Sequence, residues 1–160
     1  MGSQSTTTNL AYIAGFLDGD GSLMLQLKKR KDGKIKYRFM TTICFYQDTR
    51  HEESLRWIRT ILKIGYISRR NDGMSELRIN GFIQTRDIIK SLLPYIRFKK
   101  QQALALYSAT KLLSRRTLTT LSKKELVIIS HFIVIIQNAN YTTKSKKTSE
   151  ELYNILGLTP

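Results

Sequence analysis

The stretch Leu10-Ala-Tyr-Ile-Ala-Gly-Phe-Leu-Asp-Gly-Asp-Gly21 decides how this chain folds. Leu10, Ile13, Ala14 and Leu17 recur at helical spacing and predict a short amphipathic helix. Ala11, Gly15 and Gly19 stand four residues apart, one above the other, and leave a stripe almost without side chains. Glycine inside a helix costs about 1 kcal/mol against alanine, so two of them one turn apart point to another backbone packed close by. The helix gives way at Asp18-Gly-Asp-Gly21, which puts two carboxylates at the negative end of the helix dipole, where anions are disfavoured. A positive group is expected to compensate. On helix chemistry alone, two solvated aspartates before a left-handed Gly21 cap and a carboxylate site for a divalent metal are equally good readings. Residues two apart point in different directions, so Asp18 and Asp20 are expected to do different jobs.

Outward from this stretch the pattern switches to period two. Leu23, Leu25 and Leu27 alternate with Met24, Gln26 and Lys28, as a strand with one buried face requires. Asp32-Gly33 is a hairpin signal, and the return strand is predicted over Lys36 to Gln47. Its odd positions Tyr37, Phe39, Ile43 and Phe45 face the core, and its even positions Arg38, Met40, Thr42, Cys44 and Tyr46 face out. A helix over Glu52 to Lys63 follows, with Leu55, Ile58, Ile61 and Leu62 on one side and Trp57 beside them. A second hairpin pairs Tyr66 to Arg70 with Glu76 to Asn80 around Asn71-Asp-Gly73. Helices are predicted over Phe82 to Leu93, Lys100 to Leu113 and Lys123 to Asn140, with a short one in the tail from Ser149. This order predicts an α+β fold, an antiparallel sheet with one face covered by helices and one exposed.

The whole chain is long enough for one domain. Residues 1–8 are expected to be a flexible polar tail, and 9–160 the single domain. Lys and Arg number 27 against 12 Asp and Glu, giving a net charge of +15. That balance makes nucleic acid the leading partner. No basic amphipathic helix with an aromatic opposite face points to a membrane, and Val127 to Ile136 is too short to span one. A single cysteine excludes an intramolecular disulfide, and with two histidines it makes a structural zinc site implausible.

The exposed face of the two hairpins carries Met24, Gln26, Lys28, Arg30 and Asp32, then Arg38, Met40, Thr42, Cys44 and Tyr46, then Tyr66, Ser68, Arg70, Glu76, Arg78 and Asn80. A solvated strand face is also polar, but Gln26, Lys28, Arg30, Arg38, Thr42, Arg70 and Arg78 are of the types that read base edges in the major groove, which accepts a two-stranded ribbon. These sixteen positions are the candidate DNA-binding set.

Ile13-Ala-Gly-Phe-Leu-Asp-Gly-Asp-Gly21 resembles the LAGLIDADG signature, and residues 9–148 resemble the single-motif homing endonucleases encoded in chloroplast introns. The resemblance implies a homodimer whose motif helices meet through Ala11, Gly15, Phe16 and Gly19, with a saddle-shaped sheet on double-stranded DNA. It implies an Mg²⁺-dependent site-specific endonuclease, with Mn²⁺ able to substitute, acting on a near-palindromic target of roughly twenty base pairs. Asp20 and the Gly19 carbonyl would hold the metal, while Gln47 and Lys99 match the family's water-ordering glutamine and the basic residue of its active-site periphery. The family's arginine after the glutamine has no clean counterpart, His51 standing in its place with Arg50 beside it. Lys144, Lys147 and Thr148 fall in the loop that grips phosphates in that family. The resemblance also implies encoding within an organelle, the chloroplast. A splicing cofactor for intron RNA, or a DNA-binding protein that no longer cleaves, remain alternatives within the same family.

Overall fold

The computed structural model describes residues 2–141 and 143–158, with side chains from residue 6 onward. Helix α1 spans Gly2–Asp20, so it starts well before Leu10, and residues 2–8 are helical where the sequence predicts a flexible tail. Ile13, Ala14 and Leu17 are fully buried, as their spacing predicts. Strand β1 (Gly21–Lys29) follows without a connecting residue. Gly21 is not a left-handed cap. A Cβ there would lie 2.8 Å from the Leu17 carbonyl oxygen, so the residue is glycine because helix and strand meet too tightly for a side chain.

Strand β2 (Tyr37–Asp48) pairs antiparallel with β1 from Gly21↔Phe45 to Lys29↔Tyr37. Asp32-Gly33 therefore sits in a seven-residue loop, 30–36, rather than a two-residue turn. The loop is closed by the Arg30 amide donating to the Lys36 carbonyl at 2.7 Å, and Gly33 takes φ +86. After a 3-10 turn at Thr49–His51 comes α2 (Glu53–Leu62). Strands β3 (Tyr66–Arg69) and β4 (Met74–Asn80) form the second hairpin, and β4 also pairs with β2, giving the order β1-β2-β4-β3. Helices α3 (Phe82–Leu92), α4 (Lys100–Leu113), α5 (Lys123–Ala139) and α6 (Ser149–Leu156) complete the chain.

The core lies between one face of the sheet and the helices, where Leu23, Leu25, Leu27, Ile43, Phe45, Leu77 and Ile79 meet Ile13, Leu17, Ile89, Leu106 and Ile133. Full burial of each such side chain contributes about 1.5–3 kcal/mol. Trp57 does not join this core. It is partly exposed on α2 and meets Tyr12 of α1 edge to face, with ring centroids 5.6 Å apart.

The opposite face of the sheet obeys the even-odd rule in direction but not everywhere in exposure. Thr42 and Cys44 point to it, yet they are 4% and 0% exposed. They lie on a central strand between β1 and β4, with Asn80 and Arg78 as their register partners. The longer side chains from both sides close over them. Thr42 Oγ1 donates to Asn80 Oδ1 at 2.8 Å, and burial pushes the Cys44 thiol up from its ordinary value. Neither residue reaches the surface on which the alternation would place it against DNA.

Candidate active site and nucleic-acid interface

Asp18 and Asp20 part company where α1 ends. Asp18 is 8% exposed, and its carboxylate accepts three consecutive backbone amides, from Arg97 (2.7 Å), Phe98 (3.2 Å) and Lys99 (3.0 Å). These amides lead into α4, whose positive end is thereby neutralised. The Lys99 ammonium turns back and donates to the Asp18 carbonyl oxygen, one of the acceptors left over at the end of α1. The compensating positive charge predicted for the motif is thus the α4 terminus with Lys99, some eighty residues away in sequence. Lys99 is 9% exposed. Burial pushes its pKa below the ordinary value, against the pull of Asp18 and Asp20.

Asp20 is exposed, and its carboxylate makes no hydrogen bond or ion pair among the described residues. It opens into a groove lined also by Lys99, Ser22, Met24, Gln26, Tyr46, Arg70, Asp72 and Tyr141. Tyr46 Oη and Ser22 Oγ are 2.9 Å apart across β1 and β2. Burial pushes the Tyr46 phenol up to about 12, so it stays protonated at any physiological pH. No cluster of three His, Cys, Asp or Glu able to hold a metal exists among the described residues. One chain therefore offers a cation the Asp20 carboxylate and the Gly19 carbonyl, which has no intrahelical partner. An all-oxygen set suits a hard divalent ion that keeps several of its waters.

Beside this groove the two hairpins are built differently. In the first, Gln26, Lys28, Arg30 and Arg38 have no side-chain hydrogen bond or ion pair among the described residues, and Met40, the register partner of Gln26, is half-buried. Asp32 is exposed in the hairpin loop. In the second, carboxylates hold the cations. Arg70 contacts Asp72 at 2.7 Å and Glu76 at 3.2 Å, and Arg78 Nε stands 2.8 Å from Glu76 Oε2. The Arg78 Nε–H points away from that oxygen, so the contact is an ion pair without a hydrogen bond. Glu76, predicted on the DNA surface, is 7% exposed beneath these guanidinium groups. Tyr66 Oη accepts from Asn80 Nδ2 at 3.2 Å, and Ser68 is half-buried opposite Glu76.

The basic loop after α5 splits in the same way. Lys144 is exposed, while the Lys147 backbone is tied by both its amide and its carbonyl to the Gln137 side chain, each at 3.1 Å. Thr148 caps α6 by accepting from the Glu151 amide at 3.1 Å, which makes its hydroxyl a structural group first. Asn140 anchors the start of the loop by donating to the Leu23 carbonyl at 3.0 Å.

The family model described as LAGLIDADG endonuclease matches residues 13–113. The chain belongs to this family. Over 93 residues it is 37% identical to DNA endonuclease I-CvuI of Chlorella vulgaris, and over 94 residues 29% identical to DNA endonuclease I-CreI of Chlamydomonas reinhardtii. The matched stretches cover 58% and 59% of this chain, and only 58% and 57% of those two relatives. In three dimensions the likeness is more extensive. The structure of I-CvuI in complex with its target in the presence of calcium aligns with a TM-score of 0.80 and 26% identity, over 96% of this chain and 95% of that one. The archaeal intron-encoded homing endonuclease I-Vdi141I, complexed with DNA, shares the fold at a TM-score of 0.79 and 17% identity, over 94% and 95% of the two chains. The fold is that of the LAGLIDADG homing endonucleases, a four-stranded antiparallel sheet backed by helices.

Within a LAGLIDADG chain, the segment after Gln47 has a particular job here. Gln47 Oε1 accepts the Asp48 amide at 2.9 Å. Asp48 in turn takes the Arg50 amide at 2.8 Å and the guanidinium at 3.0 and 2.8 Å, and hydrogen bonding from Arg50 holds its carboxyl well below the usual range. Arg50 is therefore committed to its neighbour, whereas the exposed His51 side chain is committed to nothing among the described residues. Sequence reasoning missed Glu52 altogether. Only 5% exposed, it accepts from Arg56 (2.6 Å), Arg69 (2.9 Å) and Ser75 (2.6 Å), joining α2 to both strands of the second hairpin. Hydrogen bonds, first from Arg69 and then from Ser75, hold its carboxyl down to about 2. An acidic residue just ahead of a helix reads as an ordinary first-turn charge, so nothing local marks it.

Proposed function

We propose that this chain is a homodimeric, divalent-metal-dependent DNA endonuclease that makes a double-strand break in a long, near-palindromic site. The observation that carries the reading is the free Asp20 carboxylate next to the buried Lys99 ammonium, at the inner end of a polar sheet face. A divalent cation bound by Asp20 and the Gly19 carbonyl, Mg²⁺ or Mn²⁺, would supply water activation and charge neutralisation at the phosphate. In the hydrolysis the water oxygen bonds to phosphorus, the bond from phosphorus to one deoxyribose oxygen breaks, and a proton goes to that leaving oxygen. Lys99, held by Asp18, adds a fixed positive charge beside the reacting phosphate. Gln47 orders water near it, with His51 rather than Arg50 as the free group at the periphery.

A second copy would complete the site. Cβ atoms added at Gly15 and Gly19 would meet nothing within 4 Å, so the stripe with Ala11 and the half-buried Phe16 is open to another helix. Phe98, 84% exposed, borders the same stripe. Packing there brings two Asp20 carboxylates together, one for each strand of the duplex. Each β1 is nine residues, about 30 Å long, which covers about nine base pairs. Two sheets related by a twofold axis therefore span roughly twenty. Met24, Gln26, Lys28, Arg30, Arg38 and Arg70 read bases, and Lys144 holds phosphate without regard to sequence. The likeness to enzymes of the two algae supports encoding in an organelle intron, of the chloroplast.

The test is selection of cut sites from a randomised duplex library with Mg²⁺, with Ca²⁺ and with EDTA. Recovery of one near-palindromic site with Mg²⁺ alone is expected. Binding without cutting would leave a DNA-binding module, and a preference for intron RNA over duplex would make the chain a splicing cofactor.

A further inference from the structure

Ser22 and Tyr46 stand where the motif helix becomes strand. Gly21 pairs with Phe45, so the register carries Tyr46 alongside the Asp20 junction, and both hydroxyls lie on the polar face with the carboxylate. Their oxygens are 2.9 Å apart, and either can be the donor. Each hydroxyl has one proton and two acceptor sites. One proton is consumed between the two oxygens; when Tyr46 donates to Ser22 the serine proton is left to be given away, and when Ser22 donates to Tyr46 the phenol proton is left, with the Cys44 sulfur as its only weak rival acceptor among the described residues. The pair is half-buried, with the Cys44 thiol beneath it and the open groove above. A neutral donor in that position meets an anion without adding charge to a site that must also admit a cation.

We propose that the Ser22–Tyr46 pair donates a hydrogen bond to a non-bridging oxygen of the phosphodiester held at Asp20, an assignment that rests on the endonuclease reading above. The pair transfers no proton. It supports the charge that builds on the phosphate oxygens as the water oxygen adds and the sugar oxygen leaves. Because either hydroxyl can supply the free proton, the two stand in for each other, and removing both is expected to do far more than the product of removing each.

The experiment is single-turnover cleavage of the selected site in Mg²⁺ by Ser22→Ala, Tyr46→Phe and the double variant, with DNA affinity measured separately in Ca²⁺. Each single variant should slow cleavage by less than about threefold, and the double variant by about 100-fold or more, the scale of a missing transition-state donor and well beyond the product of the two singles. Affinity should stay within about threefold. Adding Ser22→Thr to Tyr46→Phe should leave the rate at the single-variant level, since a hydroxyl remains. A double variant that cuts at the wild-type rate overturns the proposal, as does a loss that appears wholly in affinity or that multiplies simply from the two singles. Asp20→Asn is run in parallel. If the wild type cuts and Asp20→Asn does not, a normal double variant removes only the hydroxyl pair. If the wild type binds its site and never cuts, the endonuclease reading falls and this assignment falls with it.

Discussion

The Asp20 carboxylate and the second hairpin across the same groove solve opposite electrostatic problems. At the inner end a carboxylate, Asp20, is left without a partner among the described residues, while the nearby cation, Lys99, is buried and occupied by a carbonyl. In the second hairpin the guanidinium groups of Arg70 and Arg78 are held by Asp72 and Glu76, with Arg70 and Asp72 lining the same groove as Asp20. On the proposed reading, the free anion would attract a metal, and the braced cations would present fixed directions to base edges and phosphates. The difference shows that net charge is not what locates the chemistry. The strongly basic chain keeps an unpaired carboxylate in the groove where cleavage is expected.

Removing that carboxylate breaks the contrast most severely. Asp20→Asn should reduce the cleavage rate by about a thousandfold or more, about 4 kcal/mol in barrier. DNA affinity should stay within a modest factor, because no phosphate-binding cation is removed. Rate and affinity on the same duplex decide it, and near-normal cutting would contradict the metal assignment.

Asp18 tests the other half of the pair two residues away. Asp18→Ala leaves three backbone amides at the α4 terminus without their anionic acceptor. A loss of about 3 kcal/mol in denaturant unfolding is expected, since hydrogen bonds to charged groups contribute about 1.5–3 kcal/mol each and water recovers part. Mild destabilisation with abolished cleavage would mean that Asp18, too, serves the metal.

The Glu52 brace behind the second hairpin carries a pH signature. Glu52 titrates at about 2 in the fold against an ordinary 4.5, so its contribution is fully present above 4.5 and disappears as pH falls through about 2. Thermal unfolding should weaken across that window, and Glu52→Gln should flatten the dependence while lowering stability at neutral pH. An unchanged profile would show that the Arg56 and Arg69 contacts are ornamental.

Base readout separates the two hairpins. Arg38→Ala should cost about 1–3 kcal/mol of affinity at the preferred site and relax one position in each half-site. Arg70→Ala should do the same and also release Asp72 and Glu76 to repel DNA, so its effect should be steeper in low salt. A cleavage-specificity profile with salt titration distinguishes them. The smallest effect belongs to Lys144→Ala, which should weaken binding to all sequences alike and lower the salt slope by about 0.9 for each phosphate it no longer neutralises.

Local pattern made much of this legible. The switch from helical to alternating spacing at Gly21 located the motif, and the bounds of α4 could be read between Lys99 and Ser114. What the pattern could not carry was distance. Asp18 finds its partners at residues 97–99 because α1 packs beside α3, and Glu52 finds Arg69 and Ser75 because β3 pairs with β4 at those two residues. Alternation gave the direction of Thr42 and Cys44 but not their depth, which depends on what the neighbouring strands carry. Asp-Gly marked the reversal near Gly33 but not its length.

Cys44 has one more consequence. It is the chain's single thiol, entirely enclosed in the middle of the central strand, and its burial disfavours the thiolate. An alkylating reagent therefore meets it only when β2 parts from its neighbours. The rate of labelling becomes a clock for opening of the sheet, and its slowing on bound duplex would time how long the saddle stays clamped.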